Sequence, residues 1–359
     1  MSSDKEIIVP LNSLKAFTIR CLEKVGAKAE HAENLAELIV AADHRGHYSH
    51  GMNRLEFYMQ DLKNGHICVD KEPEVIQQTP ATALVDGNNC LGPSVGKYCI
   101  DLAIEKAKNI GIGWVCAKRS NHFGIAGWYS MRAMSQGLIG MAFCNTSPMM
   151  IPTRAKKYTL GTNPISVAAK GNNGEEFVLD MATTSVALGK VEIKKRLGQN
   201  IPIGWALDRN GKPCTDAEEA LYHGGLCPLG GLEETSGYKG YGLGMMVELF
   251  CGILSGSNFG SNLKVWSEHS SEADLGQCYV AIDPKAFAPG FEDRLSSLIH
   301  QCKDQEPAEG ESEILVPGDP ENQHIELCTK LGGIPYHSKQ IEFADYIAKT
   351  YDIQPLERL

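Results

Sequence analysis

The order of hydrophobic periods between residues 95 and 144 constrains this chain more than any other feature. Val95–Asn109 carries apolar residues at helical spacing, Ile112–Ala117 is a short apolar run, Ile125–Gln136 is helical again, and Leu138–Cys144 is a second short run. A chain that alternates in this way builds neither a pure helix bundle nor a pure β-sandwich; it layers helices on a sheet. The flanks agree. EVIQQTPATALVDG (Glu74–Gly87) reads as a hairpin, Ile165–Ala169 and Phe177–Leu179 as strands, and Leu188–Leu197 as a helix. Tyr241–Leu254 reads as an apolar helix, Cys278–Ile282 as a strand and Phe291–Cys302 as a charged helix. DQEPAEGESE is a loop. Helices at 11–25 and Glu30–Ala42 open the chain, Gly26 separates them, and QIEFADYIAKTYDI closes it with another. The expected class is α/β. A helical segment, 1–73, is expected to pack with the C-terminal helix of 330–359, and 74–329 forms the α/β region.

The glycines rule out a standard dinucleotide fold, because no GxGxxG joins a strand to a helix. GYGLG (Gly240–Gly244) precedes an apolar stretch, but GGLEETSGYK before it is no hydrophobic strand. Two readings stay open. The glycines allow a buried helix to pack tightly, or they let a phosphate or ribose approach, with Lys239 as counter-charge at a helix N-terminus. The net charge of −10 disfavours nucleic acid and anionic membranes as partners. The start, MSSDKEIIVPLN, lacks a secretory pattern. The longest apolar run, LGMMVELFCGIL, is short for a membrane span and carries Glu248. Twelve cysteines without a CxxC pair suit a reduced, cytoplasmic protein, and Cys116, Cys144 and Cys251 read as core thiols.

Chemistry concentrates in three places. DHRGHYSHGMNRL (Asp43–Leu55) sets His44, His47 and His50 three residues apart. A zinc centre, solvated loop histidines and an acid–base centre beside an anion clamp are the competing readings. Gly46 and Gly51 weaken a helix there, which counts against zinc, so no metal is expected. His50 stands out, with Ser49 before it, Arg54 four residues on, and Gly51 expected to leave the backbone uncrowded. An imidazole gives or takes a proton near neutral pH, and a guanidinium forks onto a carboxylate. Together they fit an α-carboxylate whose neighbouring oxygen gains or loses a proton. In SNHFG (Ser120–Gly124), after a strand end, His122 either reaches a ligand or bonds its own turn. In VLDMATTSVALGK (Val178–Lys190), Thr183, Thr184 and Ser185 cap the next helix, while Asp180 fixes a histidine tautomer or the helix start holds a phosphate.

SHGMNRL, SNHFG, GTNPIS, LDMATT with a downstream GK, KGYGLGMMVELFCGILSG and VPGDPE follow one another in that order over nearly the whole chain. In this the sequence resembles the malate/L-lactate dehydrogenase family, which also holds ureidoglycolate, sulfolactate and 2,3-diketogulonate dehydrogenases and ketimine reductases. The resemblance implies a non-Rossmann NAD(P)-binding α/β fold with a mixed sheet and flanking helical segments. It implies a homodimer with its active site near the subunit boundary, and NAD, or NADP, as cofactor. The reaction would interconvert a small 2-hydroxy acid and its 2-oxo acid, malate/oxaloacetate or lactate-like. Ketimine reduction is the alternative, and a zinc hydrolase or a non-catalytic nucleotide binder are readings of other classes. By motif, His50 would be the acid–base residue, with Ser49 and Asp180 orienting it or relaying protons. Arg54 would clamp the substrate carboxylate, with His122 and Thr162 lining the substrate. Thr146, Ser147, Asp180, Met181, Ala182, Lys239, Pro317 and Gly318 would contact the cofactor. Many relatives read RGVDSHG where this chain reads RGHYSHG, so His47 and Tyr48 are local substitutions, and no chemical role is expected for His47.

Overall fold

The computed structural model describes residues 6–265 and 271–359. A short strand, β1 (Ile7–Val9), leads into α1 (Leu11–Lys24) and α2 (Ala29–His44). Leu14, Phe17 and Leu22 of α1 and Leu35, Leu38 and Ile39 of α2 are fully buried as the two helices pack together. The apolar positions recur three and four residues apart, so burial of one stripe is what makes these segments helical. A third helix, α3 (Leu55–Lys63), buries Leu55, Tyr58, Met59 and Leu62 at the same spacing.

The central sheet takes β2 (Glu74–Gln78), β3 (Thr82–Asp86), β4 (Ile112–Ser120), β5 (Ile139–Cys144), β6 (Ile165–Lys170), β7 (Glu176–Met181) and β11 (Leu275–Ile282), in the order β2-β3-β4-β11-β5-β6-β7. Among the described residues only β3 and β4 run parallel in it, joined by α4 (Gly92–Ile110); the other pairings are antiparallel. This is the mixed sheet that the family resemblance implies. The late strand β11 lies at its centre, and alternate residues serve two cores. Tyr279 and Ala281 join the large core that includes Cys99, Ile100 and Ala103 of α4, whereas Cys278 and Val280 join Val247 and Cys251 in a smaller one. Coverage on both faces explains why LGQCYVAI is buried almost throughout instead of alternating.

The remaining elements are α5 (Gly127–Met134), α6 (Leu188–Arg196), α7 (Ala217–Tyr222), α8 (Gly237–Glu248), α9 (Phe291–Lys303), α10 (Asp319–Leu331) and α11 (Ser338–Tyr351). A small sheet pairs β8 (Ala206–Leu207) with β9 (Pro213–Cys214) and β10 (Gly225–Leu226). β12 (Ile334–Tyr336) pairs antiparallel with β1, and α11 packs on α1, so the two chain ends share one core. The glycine-rich helix begins earlier than its apolar period suggests: α8 starts at Gly237, so GYGLG lies inside it, and a π-helical turn, Leu249–Ile253, follows. A Cβ on Gly240 would stand 2.3 Å from the Leu229 backbone. Close packing therefore requires glycine there, while Lys239 lies exposed in the first turn.

Candidate active site

α2 ends at His44, Gly46 reverses the chain at φ +82°, and residues 47–51 cross to α3. The three histidines diverge on this turn. The His44 carbonyl meets His324, His47 Nε2 lies 3.4 Å from Glu321, and His50 turns inward. Among the described residues no group of three or more His, Cys, Asp or Glu is arranged to hold a metal ion.

His50 Nδ1 lies 2.9 Å from the Ser49 hydroxyl, and its ring stacks on His122 at 5.8 Å and 16°. His122 Nδ1 is 2.6 Å from the Tyr58 hydroxyl. Arg54 Nε donates to the Ser49 carbonyl at 2.8 Å, so one backbone turn places both the imidazole and the guanidinium. The two rings keep partly exposed edges yet are densely surrounded by protein. Burial, reinforced by the Arg54 charge, pushes His50 down to about 3. His122 falls well below the usual histidine range by burial, with the His50 and Arg54 charges adding to it. Both imidazoles are therefore neutral at physiological pH, the state in which histidine accepts a proton.

Gly51 is not uncrowded. A Cβ there would stand 1.8 Å from an Asp43 carboxyl oxygen, because that buried side chain packs directly beneath it. The hydroxyls after Asp180 do not cap a helix either. α6 starts at Leu188 with Ala187 as its N-cap, and no side chain caps it. Thr183 donates to the Thr162 and Asn163 carbonyls, Thr184 to Val186 and Ser185 to Pro228. The Thr183 bonds tie the segment just after β7 to the GTNP loop. That loop is fixed in turn. Thr146 and Thr162 hydroxyls lie 3.2 Å apart, and the Thr146 N–H donates to Asn163. Asn145 and Asn163 amides donate to opposite oxygens of buried Glu248 at 3.1 and 3.0 Å. Ser147 follows Thr146, half-buried.

Asp180 accepts the Gly127 N–H at 2.7 Å, which joins the β7 end to the loop carrying His122. Burial raises its carboxyl, while the His47 and Arg45 charges and the Gly127 N–H pull it back. A Cβ on Gly189, in the first turn of α6, would stand 3.4 Å from Ser49, so the GK segment borders the histidine turn. The Pro317 carbonyl accepts from Val178, and Gly318 packs on Val178, so the PG turn lies along β7. Motif reading missed Tyr58, although it stands four residues after Arg54 on an apolar helical face. A cleft of about 330 Å³ lined by His31, Asn34, Glu72 and Lys97 opens away from this centre.

A family model described as malate/L-lactate dehydrogenase matches residues 9–343. The malate dehydrogenase of Pyrococcus horikoshii is 39% identical over 353 residues, covering 98% of this chain and 97% of that protein. Its solved structure superposes with a TM-score of 0.89. The L-sulfolactate dehydrogenase of Methanocaldococcus jannaschii is 40% identical over 346 residues, covering 91% and 97%. The delta1-piperideine-2-carboxylate reductase structure from Pseudomonas syringae superposes with a TM-score of 0.84 at 29% identity, covering 95% and 99%.

Proposed function

The chain belongs to the malate/L-lactate dehydrogenase family, and from that premise we propose that it interconverts a small 2-hydroxy acid and its 2-oxo acid at the His50–Arg54 centre. The observation that carries this reading is the single turn on which Ser49 orients His50 and anchors Arg54. Ser49 occupies Nδ1 of the imidazole, which directs Nε2 to the hydroxyl of the bound acid. In oxidation neutral His50 takes the hydroxyl proton, and reduction runs the same transfer in reverse. Arg54 forks onto the substrate carboxylate and sets which face of the carbinol carbon is presented. His122 and Thr162 line the substrate, and Asp180 relays or steadies charge from the His47 side.

NAD is the proposed cofactor, with NADP as the alternative; bound, it accepts or supplies the hydride. The residues present suit it. Thr146, Ser147 and the main chain of Asp180, Met181 and Ala182 offer hydroxyl and peptide groups to ribose and carboxamide. Lys239, exposed in the first turn of α8, suits a pyrophosphate, and the Pro317–Gly318 turn closes the far side. In this division 1–73 with 330–359 carry the acid–base turn, and 74–329 hold cofactor and substrate. All twelve cysteines are free thiols, which supports a cytoplasmic setting, and no helix among the described residues is long and apolar enough to cross a membrane.

The deciding assay is loss of reduced-nicotinamide absorbance with oxaloacetate, pyruvate, the 2-oxo acid of sulfolactate and a cyclic imino acid, each with NADH and NADPH. Turnover of a 2-oxo acid is expected. Turnover of the cyclic imine alone would move the assignment to ketimine reduction, for which the same arginine and proton donor would serve.

We also propose a homodimer formed through α8 and its π-helical turn. Tyr238, Met245, Leu249 and Ile253 stand exposed along it, each about half accessible (51–53%), and a second copy of this chain would cover them. Leu249→Glu with Ile253→Glu is expected to give monomers by light scattering. A dimeric mass retained in that variant removes this face from the interface.

A further inference from the structure

We propose that Asp43 is a positioning residue for His50: its ionised carboxylate clamps the turn that carries the imidazole, and protonation loosens the clamp. The inference rests on His50 being the acid–base residue.

Asp43 is the penultimate residue of α2 and is completely buried. The chain leaves α2, reverses, and returns over it. One carboxyl oxygen then accepts the Met52 N–H at 2.9 Å and the Tyr336 hydroxyl at 2.5 Å. Gly51 lies flat on the carboxyl group with its φ at −94°. A Cβ at that position would run into the carboxylate underneath, so glycine is required there. His50 is thus followed at once by two residues whose backbone rests on Asp43. Tyr336 comes from β12, so the clamp also ties the acid–base turn to the C-terminal strand.

The other carboxyl oxygen is buried with no hydrogen-bond partner. The titratable groups that face Asp43 are Tyr336 from β12, Tyr48 from the turn itself and Cys328 from α10. His324 of α10 stands one step further out, on the Tyr48 hydroxyl. None of the three facing groups is a cation. Burial accordingly raises Asp43 to about 7, even though the Met52 N–H and Tyr336 hydroxyl favour the anion. Bonds to a charged acceptor are roughly twice as strong as neutral ones, so the clamp weakens when the group takes a proton. His50 itself stays neutral across the same range. A limb of activity near neutrality therefore reports the clamp rather than the base.

The test is kcat/KM for 2-hydroxy acid oxidation from about pH 5.5 to about 9 at saturating cofactor, a quantity that reports the enzyme before the acid binds. Wild type is expected to rise through a limb with its midpoint near 7. Asp43→Asn keeps the shape and both acceptor bonds but cannot ionise; its profile is expected to be flat, at the level of the wild-type acid plateau, with NADH affinity unchanged. Tyr336→Phe removes one donor from the anion and should move the midpoint upward by roughly half a pH unit or more. A limb retained in Asp43→Asn, a midpoint unmoved in Tyr336→Phe, or no limb in wild type each overturns the proposal. Full activity in His50→Ala would instead overturn the functional reading beneath it, so the two failures are distinguishable.

Discussion

Replacing His50 by alanine is expected to lower turnover by about 10²–10⁴-fold, the usual loss when general acid–base help is removed. Neighbouring groups cannot take over. Ser49 is too weak a base. His122 stacks beside His50 rather than in its place, and its Nδ1 is engaged by Tyr58. The groups proposed to hold the cofactor lie on the β5 and β7 ends and the α8 start, so NADH affinity should change by no more than roughly twofold, leaving the loss in turnover itself. A second readout comes from stability. The His50 pKa is lower in the folded protein, about 3, than the ordinary 6.5. The unfolded chain therefore binds more protons between those values. Stability from this group is complete above about 6.5 and is lost as pH falls toward 3. His50→Ala should flatten that acid-side decline without removing it, because His122 is depressed by the same burial. Wild-type turnover in the variant would reject His50 as the acid–base residue.

How much of this was legible depends on how far each signal reaches along the chain. The segments around α4, β4, α5 and β5 show in their periods because burial of a stripe or a face is a local pattern. The position of β11 does not. Cys278 pairs with Cys116 and Phe143 across gaps of more than a hundred residues, and nothing in LGQCYVAI says which strands it separates. α10 escaped for another reason. DPENQHIELCTKL buries only Cys328 deeply, so it has little apolar period. Its markers are punctuation instead: Gly318 and Gly332 at its ends, both at positive φ, and Pro320 in its first turn. In the site, His50, Arg54 and His122 lie in compact motifs whose chemistry reads directly. Asp43 beneath Gly51 and Tyr336 from the far terminus are contacts of the folded chain alone. His47 beside Glu321 is likewise a contact of the folded chain alone.

Arg54→Ala should act on a different constant. Removing one partner from a desolvated, hydrogen-bonded charge pair costs about 2–4 kcal/mol, or a rise of roughly 30- to 1000-fold in the KM of the acid. NADH affinity should hold, because the groups proposed to hold the cofactor lie on other elements. Turnover should also fall, by less than in His50→Ala, because Arg54 Nε is bonded to the carbonyl of Ser49, whose hydroxyl orients the imidazole. Arg54→Lys is the sharper probe. Lysine keeps the charge but has neither the planar fork nor an Nε–H in the same place. If charge alone matters, Arg54→Lys approaches wild type. If the fork and its anchor matter, it stays close to alanine in KM. A variant whose KM for the acid is unchanged, while that for the cofactor rises, would place the carboxylate elsewhere and separate the guanidinium from the imidazole beside it.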